Sequence, residues 1–496
     1  MECSTLVNVV RDFEHVHLGD RRLDANALAF SLELQKNPGP GIPGMFDCND
    51  SKLEAVYRFM RNDAVGLEEL IAPHFSQTAK RAACLDTVLV VHDTTNYTFG
   101  GGAREDMGVI DPSSEPGFYC HHSLCLGFDG EPLGLLALQT WNRTAGVIGK
   151  RSQNESQYDP QRESLRWNYG VEMSDDAIRK LSDFGQSGPC PLIIHLMDRE
   201  GDCMELLWEL MVDGRQFVVR AKTDRRLKQG RNKMCKKLFG TVASTNVLCT
   251  YTTQVVRRLK KTVESPNTTC NGRKAIRSRK SVVQWSQRRE AELEVRATRV
   301  TIVPGNGHHV HVPDDGFEIN VVHVREKNPP ADVEPVEWYL LTQLQIEAEE
   351  DALFVVDCYC RRWMIEEFHK AEKTGCNYES CRCTSFANCM RMLMLIIPIS
   401  VQMLRLRWAD REYADAPASK VLTSEQIEVL KADGERQRKP LSAEPTIREA
   451  LRAIARLGGH RKHNGAPGWQ TLYRGFTKLA ILVDGYQLAM SEVYQT

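Results

Sequence analysis

The stretch Tyr359-Cys-Arg-Arg-Trp-Met-Ile-Glu-Glu-Phe-His-Lys-Ala-Glu-Lys373 decides how we interpret this chain. Five polar side chains recur in it at intervals of 3, 4, 4 and 3 residues: Tyr359, Arg362, Glu366, Lys370 and Lys373. At about 100° per residue they fall within roughly an 80° arc of one helix face. One carboxylate that can hold a metal ion, among cations that can hold phosphates, favours phosphoryl transfer on nucleic acid.

The same spacing also fits an ordinary solvated helix. Glu366 and Lys370 are an i,i+4 pair in the favourable orientation, and such pairs are common on helix surfaces. Within the functional interpretation, Glu366 is preferred over Glu367 because it shares the face of Arg362 and Lys373, whereas Glu367 points about 100° away.

Length and charge set broad limits. At 496 residues the chain is too long for one compact core, so two to four domains are expected. The net charge of −1 predicts no anionic partner for the chain as a whole. The segment from Arg220 to Lys261, however, holds thirteen Lys or Arg and one acid, Asp224, which is either a nucleic-acid footprint or a solvated loop.

The cellular location is predicted from the N-terminal residues, the longest apolar run and the distribution of the cysteines. The first fifteen residues do not resemble a secretory signal, and the longest apolar run, near residues 392–401, is too short to span a membrane. The sixteen cysteines are scattered, as in reduced cytoplasmic proteins. A denser group, residues 358–389, lacks the paired spacing of a zinc site.

Two aspartates follow predicted buried strands. The run 87–92 ends at Asp93, and the run 191–197 ends at Asp198. Between them lie a hairpin around Asp129-Gly130 and a helix near residues 174–184. This order resembles an RNase H-like core, in which acids at these two strand ends lie side by side. Each aspartate alone is equally consistent with a turn or a cap.

The remaining segments complete an α/β chain with three predicted parts. Residues 1–70 form a helical unit that carries Arg58 and Arg61, which either lie on DNA or are solvated surface side chains. Residues 71–390 form the RNase H-like catalytic core, interrupted at about 221–345 by a β-rich insertion whose last strand contains Trp338. Residues 391–496 form a C-terminal helical domain whose default role is packing against the core or a second subunit. It has a buried helix at 390–408 and further helices at 446–457 and 470–491.

Motifs along nearly the whole chain resemble the DDE transposases of the Tn-five transposase group, within the IS-four family of bacterial insertion sequences. The main one is Tyr-x2-Arg-x3-Glu-x6-Lys, from Tyr359 to Lys373. Others are Asp93-Thr-Thr, Asp198-Arg-Glu, Tyr57-Arg-Phe-Met-Arg-Asn62, Leu18-Gly-Asp20, Phe217-Val-Val-Arg-Ala-Lys222, Trp338-Tyr-Leu-Leu-Thr342 and Pro467-Gly-Trp-Gln-Thr-Leu-Tyr-Arg474. The chain departs from the family at Gly201, where Ala is frequent, and at Glu372, where a bulky residue is frequent.

The resemblance implies a cut-and-paste mechanism with specific residue roles. Asp93, Asp198 and Glu366 would coordinate two Mg²⁺ ions per active site, which Mn²⁺ can replace. The DNA phosphates would be held by Tyr359, Arg362, Lys370, Lys373 and Arg220. Trp338 would stack on a flipped base beside the cut. The partners implied are transposon-end and target DNA, a homodimer paired by that DNA, and no membrane. The resemblance implies that residues 1–70 bind the DNA ends and that residues 391–496 support dimerisation and synapsis. The location it implies is the bacterial cytoplasm.

Three alternatives stay open. An RNase H-like nuclease shares the acids but does not join the ends it releases. A non-catalytic DNA-binding inhibitor of transposition keeps the basic surfaces, although the presence of all three acids argues against it. A metallohydrolase would use histidines that lack HExxH spacing: His121, His122, His308, His309 and His311.

Overall fold

The structure is a computed structural model. It describes residues 12–13, 15–36, 50–100, 106–108, 110, 116–142, 165–183, 190–228, 237–265, 277–305, 311–381, 383, 385–461 and 465–493, without the side chains of 257–287 and 491–493. His308, His309 and most of the basic side chains between 229 and 261 lie outside the described residues.

The chain divides into two compact units. The first contains residues 1–194 and 362–496, and the second contains residues 195–361. The division passes through the fourth strand and through the helical segment that carries Glu366. The predicted domain limits at 70, 221, 345 and 390 stay predictions.

The first unit combines a β-meander with most of the helices. Its helices are α1 (Arg21–Lys36), α2 (Asp50–Arg61), α3 (Leu67–Ala82), α4 (Leu165–Asp183), α8 (Trp363–Lys370), α9 (Phe386–Glu412), α10 (Ser424–Arg436), α11 (Ile447–Leu457) and α12 (Trp469–Val493). Its strands are β1 (Thr87–Thr98), β2 (Gly117–Gly127), β3 (Pro132–Trp141) and the first half of β4 (Leu192–Met197), in the order β3-β2-β1-β4.

Strand β1 is longer than predicted. We expected it to end at Asp93, but it continues to Thr98 because β2 pairs with it antiparallel over its whole length, from Val88↔Gly127 to Thr98↔Gly117. Asp93 therefore lies mid-strand, opposite His122. The predicted hairpin between β2 and β3 is confirmed, and Gly130 (φ +91°) supplies the left-handed residue that the turn requires.

The core of the first unit lies between this sheet and its helices. Ala79 and Ala82 of α3 and Ile178 of α4 pack against Val88 and Val90 of β1. Helix α3 and the first nine residues of α4 are absent from our predictions. In α3, polar and apolar residues do not alternate with the helical period of 3.6 residues, because the helix also buries the polar side chains His74, Thr78 and Arg81.

Helix α9 is the buried helix predicted at 390–408. Among the described residues it is the one helix whose length and apolar character would allow it to cross a membrane. Of its apolar window, 94% is buried inside the protein, as in the core helix of a globular domain. Arg391 of α9 donates hydrogen bonds to the backbone oxygens of Met60 and Val65, which fixes the end of α2 on this core helix.

The C-terminal helices have clear N-terminal signals. Thr446 and Glu449 form a capping box at the start of α11, where we predicted a helix. Helix α10 is absent from our predictions. Its own capping box, formed by Thr423 and Gln426, was present in the sequence and marks its start.

The second unit is mainly an antiparallel sheet. Its strand order is β4-β5-β9-β8-β7-β6, with β5 (Gln216–Arg220), β6 (Cys249–Ser265), β7 (Arg277–Ile302), β8 (Phe317–Glu326) and β9 (Glu337–Thr342). Its helices are α5 (Met204–Val212), α6 (Leu238–Ala243) and α7 (Glu349–Arg361). The β-rich insertion is confirmed. The fold class, an RNase H-like α/β core with helical N- and C-terminal regions, is also confirmed.

The motif helix is three consecutive segments. Helix α7 ends at Arg361, Arg362 keeps helical angles (φ −52°, ψ −33°), and α8 begins at Trp363. A π-helical turn follows at Ala371–Gly375, closed by a hydrogen bond of 2.7 Å from the Cys376 N–H to the Ala371 oxygen. Turns of this kind often occur at functional sites.

Candidate active site

Two of the three predicted acids meet at one arginine in the first unit. Arg362 Nη1 lies 3.6 Å from Asp93 Oδ2, and Arg362 Nη2 lies 3.2 Å from Glu366 Oε1. The Asp93 carboxylate also accepts a hydrogen bond of 2.9 Å from the Thr94 N–H. Strand β1 and helix α8 thus bring together acids that are 273 residues apart in the sequence.

Glu366 and Glu367 have different surroundings, as the helical period predicts. Glu367 is buried against α9, where its carboxylate pairs with Lys370 at 2.9 Å, Arg407 at 3.6 Å and Arg411 at 4.0 Å. Burial raises the pKa of Glu367. The three cations lower that pKa by more than burial raises it, so the net shift is downward. Glu366 keeps about a third of its side chain exposed and is available for a ligand.

The other predicted phosphate-binding side chains do not form one row. Lys370 pairs with Glu367, and its Nζ lies 4.9 Å from the centre of the Trp363 ring. Lys373 lies in the π-helical turn, with Nζ 5.3 Å from the centre of the Tyr97 ring. Arg58 and Arg61 are exposed on α2, where a DNA backbone can reach them.

A buried polar layer underlies this part of the first unit. The Tyr97 hydroxyl donates a hydrogen bond of 2.6 Å to Glu372 Oε2, and Glu372 is fully buried. His122 Nδ1 lies 3.2 Å from His369 Nε2, so one imidazole donates to the other. Burial raises the pKa of Glu372 to about 8 and lowers that of His369 to about 3. At neutral pH this layer is therefore mostly uncharged.

The third acid, Asp198, lies in the second unit directly after β4. Its Oδ1 accepts a hydrogen bond of 2.7 Å from the Glu200 N–H, so it caps the short 3₁₀ turn Arg199–Gly201. The cap alternative thus holds for one carboxylate oxygen, and the side chain is only partly buried. Nearby, the buried Asp202 binds Arg225 and the N–H groups of Lys222 and Thr223, which ties the segment after Asp198 to the end of β5.

Three further predicted DNA contacts lie in the second unit. Trp338 stands in β9, the last strand of the insertion, as predicted, and packs edge-on against Tyr359 with ring centres 5.4 Å apart. Tyr359 is buried, so in this structure it supports Trp338. Arg220, the last residue of β5, donates a hydrogen bond of 3.1 Å to the backbone oxygen of Glu337.

The histidine alternative finds no support in the described histidines. His121 and His122 are consecutive in β2, so their side chains point to opposite faces of the sheet. His121 bonds to the Thr94 hydroxyl at 2.9 Å, and His122 bonds to His369. Two residues on opposite faces cannot share one metal ion.

The resemblance implies divalent metal ions at the predicted acids. Across the described residues, no group of three or more His, Cys, Asp or Glu side chains is arranged to hold a metal ion. Within the first unit, however, the Asp93 and Glu366 carboxylates already share one cationic group, the Arg362 guanidinium. Carboxylate oxygens are ligands that Mg²⁺ and Mn²⁺ prefer, so this pair fits a divalent ion.

The cysteines carry little of this chemistry. Eleven described cysteines are free thiols, as expected, whereas Cys84 is disulfide-bonded. Cys381 and Cys383 are buried with their sulfur atoms 3.2 Å apart. Burial raises the pKa of Cys358 and Cys376 to about 12 each, which keeps these thiols protonated and unreactive.

Comparison with known proteins gives two domain matches. The family described as Transposase DNA-binding matches residues 9–65, and the family described as Transposase DDE domain matches residues 205–400. The chain carries the domains of a DDE transposase. The DDE match includes Glu366 and the whole motif from Tyr359 to Lys373, while Asp93 and Asp198 precede it.

One solved structure that matches this transposase chain is the cryo-EM structure of a piggyBac transposase synaptic complex with hairpin DNA. The identity is 10%, and the match covers 83% of this chain and 73% of that chain, with a TM-score of 0.34.

Proposed function

We propose that this DDE transposase is a cut-and-paste enzyme of the Tn-five transposase group within the IS-four family. It acts on chromosomal or plasmid DNA in the bacterial cytoplasm. The observation that carries the proposal is the contact of Arg362 with both Asp93 and Glu366, in a chain that matches both transposase domains. That contact supports a site where two acids on different elements hold a shared cation.

Asp93, Asp198 and Glu366 would hold two divalent ions, Mg²⁺ or Mn²⁺. Bound there, such ions supply activation of a hydroxyl nucleophile and stabilisation of the leaving oxygen. With the acids neutralised by bound cations, the Arg362 guanidinium would no longer be needed to pair with them. It could then donate two hydrogen bonds to a DNA phosphate. Tyr359, Lys370, Lys373 and Arg220 are proposed as further phosphate contacts.

The proposed reaction has four phosphoryl transfers. Water hydrolyses a phosphodiester at the transposon end and leaves a 3′-OH on the transferred strand. That 3′-OH attacks the opposite strand, forming a hairpin and releasing the flanking DNA. Water then opens the hairpin, and the restored 3′-OH attacks target DNA. Trp338 stacks on a base flipped beside the cut, which holds the strand in place. Absence of hairpin-ended products in a cleavage time course would remove the second and third steps.

A homodimer paired by two transposon ends is proposed for these steps, with the C-terminal helical domain, residues 391–496, supporting the pairing. Residues 1–70, including Arg58 and Arg61, are proposed to bind the ends. The domain match at 9–65 supports DNA binding by this part of the chain.

The test uses the full-length protein, Mg²⁺, a target plasmid and linear DNA that carries the sequences flanking its own gene. Glu366→Gln keeps the size of the side chain and removes the charge, so we expect DNA binding without cutting. Glu367→Gln is the matched control, since it makes the same change one residue away against α9. Cutting without joining by the wild type would favour a nuclease, and binding without any chemistry would favour the inhibitor of transposition.

A further inference from the structure

We propose that Tyr97 and Glu372 form a positioning pair that fixes the distance between Asp93 and Glu366. The inference deepens the proposed function, on which it rests. Neither residue belongs to the motifs that mark the resemblance, and Glu372 stands where the chain departs from them. The hydrogen bond between the two residues connects the C-terminal end of β1 to the π-helical turn after α8.

The pair provides the second of two attachments between this strand and this helix. The first is Arg362 at the start of α8, whose guanidinium contacts Asp93. The second is Glu372 beyond the end of α8, which accepts a hydrogen bond of 2.6 Å from the Tyr97 hydroxyl. Glu366 lies between them, so two attachments limit the rotation of α8 that would move its carboxylate away from Asp93.

The lengths of the two elements match. Tyr97 follows Asp93 by four residues on the same face of the strand, which spans about 13 Å at 3.3 Å per residue. Glu372 follows Arg362 by ten residues, which spans about 15 Å of helix at 1.5 Å per residue. Helix and strand therefore run side by side, and each attachment joins residues at the same height.

Neighbouring groups hold the pair in one arrangement. His122, which lies opposite Asp93 in β2, contacts the ring of Phe368 edge-on at 5.4 Å and bonds to His369. His122 Nε2 also lies 3.7 Å from Glu372 Oε1. The Tyr97 ring packs edge-on against Tyr378, with ring centres 4.9 Å apart. This packing holds the Tyr97 ring in place with its hydroxyl directed at Glu372.

Burial makes the bond consequential. A carboxyl group with no exposed surface loses its hydration, and the loss is offset only by the hydrogen bonds it makes inside the protein. In the structure, the Tyr97 hydroxyl provides such a bond. Removing either partner leaves the other buried with an unmet hydrogen bond, which favours movement of the π-helical turn toward water.

The test measures Mn²⁺ binding by calorimetry in the absence of DNA, beside the rate of end cleavage. Tyr97→Phe and Glu372→Met remove the bond, and Glu372→Gln keeps an oxygen acceptor for the Tyr97 hydroxyl. Loss of a group that orients a metal ligand typically weakens metal binding by about 10–100-fold. We therefore expect at least about a tenfold rise in the Kd of Mn²⁺ for the first two variants, and recovery to within about threefold for Glu372→Gln.

Tyr378→Phe is the matched control. Tyr378 is as buried as Tyr97 and donates an equally short bond of 2.6 Å, but to the Cys389 oxygen at the start of α9. We expect this variant to lower the Tm without changing the Kd of Mn²⁺. If Tyr97→Phe does not fold, the comparison of Glu372→Met with Glu372→Gln carries the test, because the two side chains are similar in size.

The outcomes separate the two proposals. Unchanged Mn²⁺ binding by Tyr97→Phe and Glu372→Met, in a protein whose wild type binds Mn²⁺ and cuts DNA, would overturn the positioning pair alone. An equal loss of Mn²⁺ binding in Tyr378→Phe would overturn it too, because the effect would then be general destabilisation. A wild type that binds no Mn²⁺ would overturn the proposed function together with the pair.

Discussion

Arg362 and Glu366 form an ion pair of 3.2 Å one helical turn apart, and the same guanidinium reaches the strand that carries Asp93. One cation therefore neutralises two acids that would otherwise repel each other. Its position between β1 and α8 makes Arg362 both a support for the metal-free site and a competitor of any cation that binds there.

Arg362→Ala is expected to destabilise the metal-free protein by about 1 kcal/mol, because the acids lose their shared cation and the pair is partly exposed. Added Mn²⁺ should reduce this deficit, since it supplies positive charge at the same carboxylates. Thermal melts of both proteins with and without Mn²⁺ give the measurement. The exposed Arg61→Ala serves as the control, and a deficit that Mn²⁺ leaves unchanged would contradict the shared-cation role.

Glu367→Gln is expected to lower stability but keep cleavage. Its carboxylate is mostly buried against three cations, so removing the charge leaves them incompletely paired, at a cost of about 1–3 kcal/mol. Because the folded-state pKa is lowered, this contribution is present above the unfolded value of 4.5 and disappears as the pH falls through the folded value. Urea denaturation at pH 7 and pH 3 should show a difference from wild type that shrinks at pH 3.

Glu372 is expected to make stability fall as the pH rises. Its pKa is about 8 in the folded protein and 4.5 when unfolded, so between these values only the folded state holds the proton. The loss of stability across this interval is at most about 5 kcal/mol, at 1.36 kcal/mol per pKa unit. The titratable groups that face this carboxyl are Tyr97, Lys373, His122, Cys120 and Cys376.

Comparison of wild type with Glu372→Gln isolates this one group, since the neighbours stay the same. The variant should gain stability relative to wild type from pH 5 to pH 8, as measured by urea denaturation at each pH. A difference that stays constant over that range would show that Glu372 is ionised throughout.

Asp198→Asn separates the cap from the catalytic role. The Asn side-chain oxygen can still accept the Glu200 N–H bond, so the Tm should stay close to that of wild type. Cleavage should fall by about a hundredfold or more, because an amide is a weaker ligand for a divalent ion than a carboxylate. Asp198→Ala, which loses both functions, should lower the Tm as well. Full cleavage by Asp198→Asn would leave the cap as the role of this residue.

Several of these relationships were accessible from sequence because they depend on local periodicity. The 3.6-residue period separated Glu366 from Glu367, and the structure gives them different surroundings. The Asp129-Gly130 signal located the hairpin. Each of these signals acts within one turn or one helix, where a few neighbouring residues decide the backbone.

Other features could not be predicted, because their partners are distant in sequence. Strand β1 extends past Asp93 because β2 continues to pair with it. Lys370 pairs with Glu367, on the face of α8 that packs against Arg407 and Arg411 of α9. The capping box of α10 is a local signal that would have located this helix.

The sequence by itself determined the class of the fold, the order of its strands and which acids are candidates for catalysis, because periodicity and motif spacing carry that information. Only the tertiary structure decided that Arg362 joins Asp93 to Glu366, and that Tyr97 meets Glu372 at the far end of the same helix. Burial explains the difference. From sequence, a glutamate such as Glu372 is expected to be solvated. In the folded protein the packing around it excludes water, and the Tyr97 hydroxyl donates a hydrogen bond to its carboxyl group.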